Sequence, residues 1–235
     1  MISETSKKMI KKNANNLKMN AKKVIFLLIM FKMCIGFTQG LPPKKRLVID
    51  VGHGGYDSGA VGINSIEEKA VVLNIAKEII RLNKSILNST YDIYLTRYQD
   101  RFISLSDRTK LARALSADLF VSLHGNKARS NARGMEVYFP QIGEDRSQSL
   151  IKESIGLGLS ILENSHKKLN IEKRAIKFAN FQVLRETIPL CPAILVEVAF
   201  ISNRDEAFYL SKQSNTKAIA LAILMGIYSF YYTGL

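Results

Sequence analysis

Three apolar runs of strand length each deliver a side chain that can hold a metal ion or move a proton. Leu47-Val48-Ile49-Asp50-Val51 leads into Gly52-His53-Gly54-Gly55. Leu119-Phe120-Val121-Ser122-Leu123 ends on His124, and Ala193-Ile194-Leu195-Val196-Glu197-Val198 carries a carboxylate within it. Such runs read as buried strands. Further strand candidates are 91–96, 134–139 and 181–185, making six with 46–51, 118–124 and 193–199. Helical patterns lie between them. Val71, Val72, Ile75, Ile79 and Leu82 recur at helical spacing across 67–83, and Ser104 with Asp107 resembles a capping box opening a helix to about Ala114. Residues 146–165 read as an amphipathic helix, Asn203 with Glu206 as a helix start, and 214–231 as a long apolar helix packed on the sheet. Strands alternating with helices give an α/β sandwich, and the short links around 134–139 allow one antiparallel member. In an open sheet of this kind ligands sit at the carboxyl ends of the strands.

The chemistry follows from that placement. His53 enters a glycine turn, where the backbone can bend sharply and leave the imidazole open. His124 stands beside Gly125-Asn126 at the sheet rim, where Asn126 could bond a ligand or hold the turn. Glu197 is embedded in an otherwise uncharged run, so it needs a cation, a water or a proton. A structural salt bridge is the competing explanation. Glu68 shares a helix face with Val72, Ile75 and Ile79. Glu67 with Val71 fits the period as well, so periodicity does not choose between the two acids. Two histidines and a carboxylate leave an open position on zinc, and a further carboxylate supplies a base. The charged residues Arg97, Asp100, Arg101, Asp107 and Arg108 read as a structural cluster, while Arg174 and Arg185 are candidates for contact with an anionic substrate.

The net charge of +14 suggests nucleic acid at first sight. Eight lysines against Glu4 within residues 1–40 carry half of it, and the remainder has a net charge of +7. No basic stripe with interleaved aromatics appears in that remainder, which argues against nucleic acid and suits another anionic polymer. The lysines up to Lys23, followed by Val24–Phe31, read as a secretory signal over residues 1–40, with 41–235 as the working domain. An uncleaved anchor is the alternative, although Lys32 interrupts a run shorter than the roughly 20 residues a spanning helix needs. Cleavage is expected near Thr38 or Gly40. Cys191 would then be the one remaining cysteine, a small buried apolar residue.

Assembled in order, these residues resemble the type-3 family of zinc-dependent N-acetylmuramoyl-L-alanine amidases. The resemblance runs from about Arg46 to about Ile227. It rests on Ile49-Asp50-Val51-Gly52-His53-Gly54-Gly55 with Asp57, on Glu68-Lys69, and on Leu95-Thr96-Arg97. It continues through Ala117-Asp118-Leu119-Phe120-Val121-Ser122-Leu123-His124, Gly134-Met135-Glu136-Val137-Tyr138, Val183-Leu184-Arg185 and Pro192–Glu197 with Phe200-Ile201-Ser202-Asn203. The resemblance implies a single α/β domain with a mostly parallel six-stranded central sheet flanked by helices. It implies His53, Glu68 and His124 as Zn²⁺ ligands and Glu197 as the catalytic glutamate, which favours Glu68 over Glu67. The implied reaction is hydrolysis of the amide between N-acetylmuramic acid and L-alanine, on peptidoglycan or its muropeptide fragments. An exported monomer of the periplasm or cell envelope is expected, with no membrane span in the mature form. The stretch 140–173 leaves room for one amphipathic helix and none to block the zinc. A silent peptidoglycan-binding protein of the same fold and a different zinc amide hydrolase, such as a carboxypeptidase, are the competing functions.

Overall fold

The computed structural model describes residues 43–141 and 148–233, with isolated residues between 4 and 30. Two compact units divide the chain, Met1–Pro43 and Lys44–Leu235. In the first, the described residues are helical and exposed. The expected signal cleavage near Thr38 or Gly40 lies outside the described residues.

The second unit is an α/β sandwich. Its elements are β1 (Lys45–Val51), α1 (Glu68–Ile86), β2 (Tyr91–Leu95), α2 (Leu105–Ala114), β3 (Leu119–Asn126) and β4 (Met135–Pro140). They continue with α3 (Gln148–Leu169), β5 (Lys173–Ala179), α4 (Gln182–Thr187), β6 (Ala193–Phe200), α5 (Arg204–Leu210) and α6 (Gln213–Tyr232). The sheet order is β2-β1-β3-β6-β4-β5. All neighbours pair in parallel except β4 with β6. The antiparallel member anticipated around 134–139 is therefore β4.

The strand expected at 181–185 is corrected. Val183, Leu184 and Thr187 are buried at helical spacing in α4, and the edge strand is Lys173–Ala179 instead. A short segment with three apolar residues, Phe181, Val183 and Leu184, does not by itself distinguish a strand from a short helix. The true strand mixes Lys173, Arg174 and Lys177 with apolar residues and is mostly exposed, because it lies at an open sheet edge, where charge discourages further pairing.

Burial explains the remaining elements. Leu47, Ile49, Leu119, Val121, Ile194 and Val196 are fully buried, as central parallel strands covered on both faces require. Helix α1 sets Val72, Ile75, Ile79 and Leu82 against the sheet. Helix α6 contributes Ile219, Ile223, Leu224 and Ile227 to the same core, as its broad apolar surface demands. Ser104 accepts a hydrogen bond from the Asp107 amide at 3.2 Å, and Asn203 caps α5 through the amides of Asp205 and Glu206. Cys191 is free and buried. Among the described residues no helix is long and apolar enough to cross a membrane.

Register carries the fold toward the site. Across β3 and β6, His124 stands opposite Glu197, and across β6 and β4, Glu197 stands opposite Glu136. Directly opposed residues share a sheet face, so these three form one row. The register of β1 with β3 pairs Val51 with Leu123. The next step puts Gly52 beside His124, where any Cβ would lie 2.6 Å from the imidazole carbon Cε1.

Candidate active site

Two residues back along the same face lies a buried anchor. Asp50 accepts hydrogen bonds from Thr96 Oγ1 (2.9 Å), Ser122 Oγ (2.6 Å) and Arg108 Nη1 (2.8 Å). Arg108 also donates to the carbonyls of Val51 and His53, and Arg97 donates to those of Val51, Gly52 and Lys69. Two guanidinium groups thus hold the carbonyls leaving β1. They fix His53, whose φ of 57° lies in the left-handed region that non-glycine residues avoid. The cluster after β2 is structural, as expected, and its structural task is to aim His53.

Glu68 opens α1 and turns inward. Its amide donates to the Ala60 carbonyl at 3.0 Å, and its Oε2 accepts from the Ala60 amide at 2.8 Å. The choice that periodicity left open is settled in position. The Glu68 side chain is 5% exposed, while Glu67 is 43% exposed and lies 3.6 Å from Lys69. Glu68 Oε1 lies 3.0 Å from His53 Nε2 and 2.8 Å from His124 Nδ1, and accepts from the Gly125 amide at 3.0 Å. Burial pushes the Glu68 pKa up, but the hydrogen bonds to His124 and His53 outweigh it and hold it well below the usual carboxylate range.

One donor atom from each of His53, Glu68 and His124 lies within 4.8 Å of the others. The His53 ring is oriented from behind, since its Nδ1 lies 2.9 Å from Asp57 Oδ2. A carboxylate on the far nitrogen is the arrangement that directs a ligand imidazole at a metal. Burial lowers the His53 pKa, yet Glu68 and Asp57 together raise it above its ordinary value. Glu197 completes the group from β6. Its Oε2 is buried without a hydrogen-bond partner, and burial pushes its pKa up to about 7, with the Glu68 and Glu136 charges adding to the rise and His124 and His53 opposing it. An orphaned carboxylate oxygen beside an N₂O donor set is what a catalytic zinc site with one open position leaves in the protein. The residues present fit the metal.

The site opens into a cleft of about 310 Å³ walled by Leu105, Phe181, Val183 and Leu195. Asn126 and Lys127 line it, and no residue of α3 does. Residues 142–147 lie outside the described residues. Arg174 and Arg185 do not line the cleft. Arg185 donates to Asn180, and Arg174 donates to Glu136 Oε1 at 2.9 Å.

Glu136 was absent from the sequence-based candidates except as part of a motif. It is 2% exposed and also accepts from Lys177 Nζ (2.8 Å), Asn126 Nδ2 (2.9 Å) and Tyr138 OH (3.1 Å). It therefore steadies Asn126 at the cleft. Burial raises its pKa, but Lys177, Tyr138 and Arg174 outweigh that and leave it lowered. A carboxyl depressed in the folded state stabilises above its unfolded pKa, near 4.5, and loses that contribution as pH falls through the folded value. The difference in melting temperature between wild type and Glu136→Gln should therefore be full at pH 6 and shrink on titration below pH 4.5. A constant difference would contradict the pairing.

Asp57 also went unmarked beyond its motif. Were the His53, Glu68 and His124 group to hold zinc, Asp57→Ala should weaken that binding by about 10- to 100-fold, the usual cost of removing a ligand's outer partner, measured by competition with a chromogenic chelator.

Fold and site together define an α/β domain with a candidate metal centre at its strand ends. The chain belongs to the N-acetylmuramoyl-L-alanine amidase family, whose model matches residues 47–229. It is similar to the endolysin of Bacillus phage SPP1, at 41% identity over 186 residues, covering 78% of this chain and 65% of the endolysin. It is also similar to the N-acetylmuramoyl-L-alanine amidase AmiA of Escherichia coli, at 34% identity over 228 residues, covering 80% of this chain and 77% of AmiA. Among solved structures, the amidase AmiC2 of Nostoc punctiforme superposes with a TM-score of 0.69 at 30% identity, covering 81% of this chain and 99% of that one. The mostly parallel six-stranded sheet anticipated from the sequence is present, and the domain that carries it superposes on the AmiC2 structure.

Proposed function

We propose that this chain is a zinc-dependent N-acetylmuramoyl-L-alanine amidase that hydrolyses the amide joining N-acetylmuramic acid to L-alanine. One observation carries the reading. His53 Nε2 and His124 Nδ1 converge on Glu68 Oε1 within a domain of this family. His53, Glu68 and His124 would hold the zinc. When bound, zinc supplies Lewis acidity toward the scissile carbonyl and acidifies water at neutral pH. Glu197 takes the proton of the attacking water on its carboxylate. A carbon–oxygen bond forms at the lactyl carbonyl, and the carbon–nitrogen bond to L-alanine breaks. Glu197 returns the proton to the departing amine. The apolar cleft walls limit bulk water around the reacting groups. Residues 1–40 act in this reading as an export leader, supported by the lysines before Val24–Phe31. The enzyme then works in the periplasm or cell envelope.

Mass spectrometry of muropeptides incubated with the zinc-loaded protein tests the assignment. Release of free stem peptide, lost on chelation and restored by zinc, is expected. Intact muropeptides after incubation would reject the activity and leave a silent wall-binding protein.

A further inference from the structure

The cleft has an asymmetric wall. Its ionisable lining residues are His53, Glu68, His124, Glu197 and Lys127. Lys127 is the one lysine or arginine among the described lining residues, and no acidic partner stands within ion-pair distance of it among the described residues. The neighbouring cations are already engaged. Arg174 and Lys177 are held by Glu136, Lys173 by Glu163, and Lys69 by Asp100 and Glu67. Glu136, the buried carboxylate nearest in sheet register to Glu197, is thereby saturated and does not draw Lys127 away.

The backbone on either side of Lys127 is pinned. The Asn126 carbonyl accepts from the Ile201 amide at 2.9 Å, and the Ala128 amide donates to Ser202 Oγ at 3.0 Å. The base of the side chain is thus fixed at the cleft, while its ammonium has no ion-pair partner among the described residues. An unpaired cation over low-dielectric walls such as Leu105, Phe181 and Leu195 draws an anion into the cleft. In an N-acylated amino-sugar peptide the saccharide N-acetyl and hydroxyl groups are neutral, and the carboxylates belong to the peptide.

We propose that Lys127 is a specificity-determining residue that binds a carboxylate of the stem peptide and so selects substrates carrying that charge. The assignment rests on the amidase reading above. An ammonium acts as a point charge without demanding bidentate geometry, so arginine should substitute for it.

Two synthetic muramoyl tripeptides test this, identical except that the second residue carries either a free α-carboxylate or its amide. Wild type with zinc should favour the carboxylate form about fivefold in kcat/KM, the scale of a partly exposed ion pair. The preference should reside in KM and fade with added salt. In Lys127→Gln the ratio between the two substrates should fall toward one, and in Lys127→Arg it should persist. Hydrolysis of the amidated substrate reports in each variant that the site is assembled. An unchanged ratio in Lys127→Gln, or no preference in wild type, overturns the assignment while the amidase reading stands. Cleavage of neither substrate by zinc-loaded wild type overturns both.

Discussion

Glu197→Gln should retain zinc and fold while releasing stem peptide about a thousandfold more slowly, within the range that positioned acid–base groups contribute. The loss should fall on kcat, because the amide of glutamine can occupy the same space and bind but cannot accept the proton. The same change should stabilise the metal-free protein by about 1–2 kcal/mol at pH 8, since it removes a negative charge that burial penalises. Chemical denaturation with the chelator present reads that gain. Activity lost together with stability gained is the signature of a group kept for chemistry. Activity within tenfold of wild type would remove Glu197 from its proposed role.

Glu68→Ala should lower zinc affinity more than the roughly 100-fold that marks loss of an outer partner, because it deletes a proposed ligand. It should also destabilise the metal-free fold by about 3 kcal/mol. The Ala60 and Gly125 amides would lose their acceptor, and His53 and His124 would lose the oxygen on which both converge. Equilibrium dialysis with zinc and denaturant midpoints at fixed slope check the two parts separately. Glu67→Ala is the matched comparison and should change neither by much, since its side chain is half-exposed and reaches only Lys69, at 3.6 Å. Equal zinc affinity in the two variants would overturn the ligand assignment.

The strands that carry His124 and Glu197 are legible in the sequence because central parallel strands are buried on both faces and read as continuous apolar runs. The end of β1 is legible for the same reason, with Gly54 and Gly55 marking the turn. What the sequence conceals is partnership across distance. Glu67 and Glu68 are equivalent by helical period, and only the reciprocal bonds between Glu68 and Ala60 separate them. Arg174 reads as a free cation until Glu136, 38 positions away, is seen to accept from it. Lys127 carries no signal in the sequence, and only the lining of the cleft brings it to the site. The edge strand Lys173–Ala179 escapes detection because its charges protect an open edge and dilute the apolar signal.

The row formed by His124, Glu197 and Glu136 has a consequence for how such a site can vary over time. Its spacing is set by backbone pairing between adjacent strands, so it is quantised at about 4.8 Å per strand. Side chains along the row can be exchanged one at a time with the frame unchanged. Adding or deleting a single residue in β3 or β6 ahead of the row would turn its imidazole or carboxylate to the opposite face, whereas just beyond it the β3–β6 register already shifts by one residue between His124 and Asn126. Divergence at this site is therefore confined to substitution, and length variation is left to the loops that join the strands.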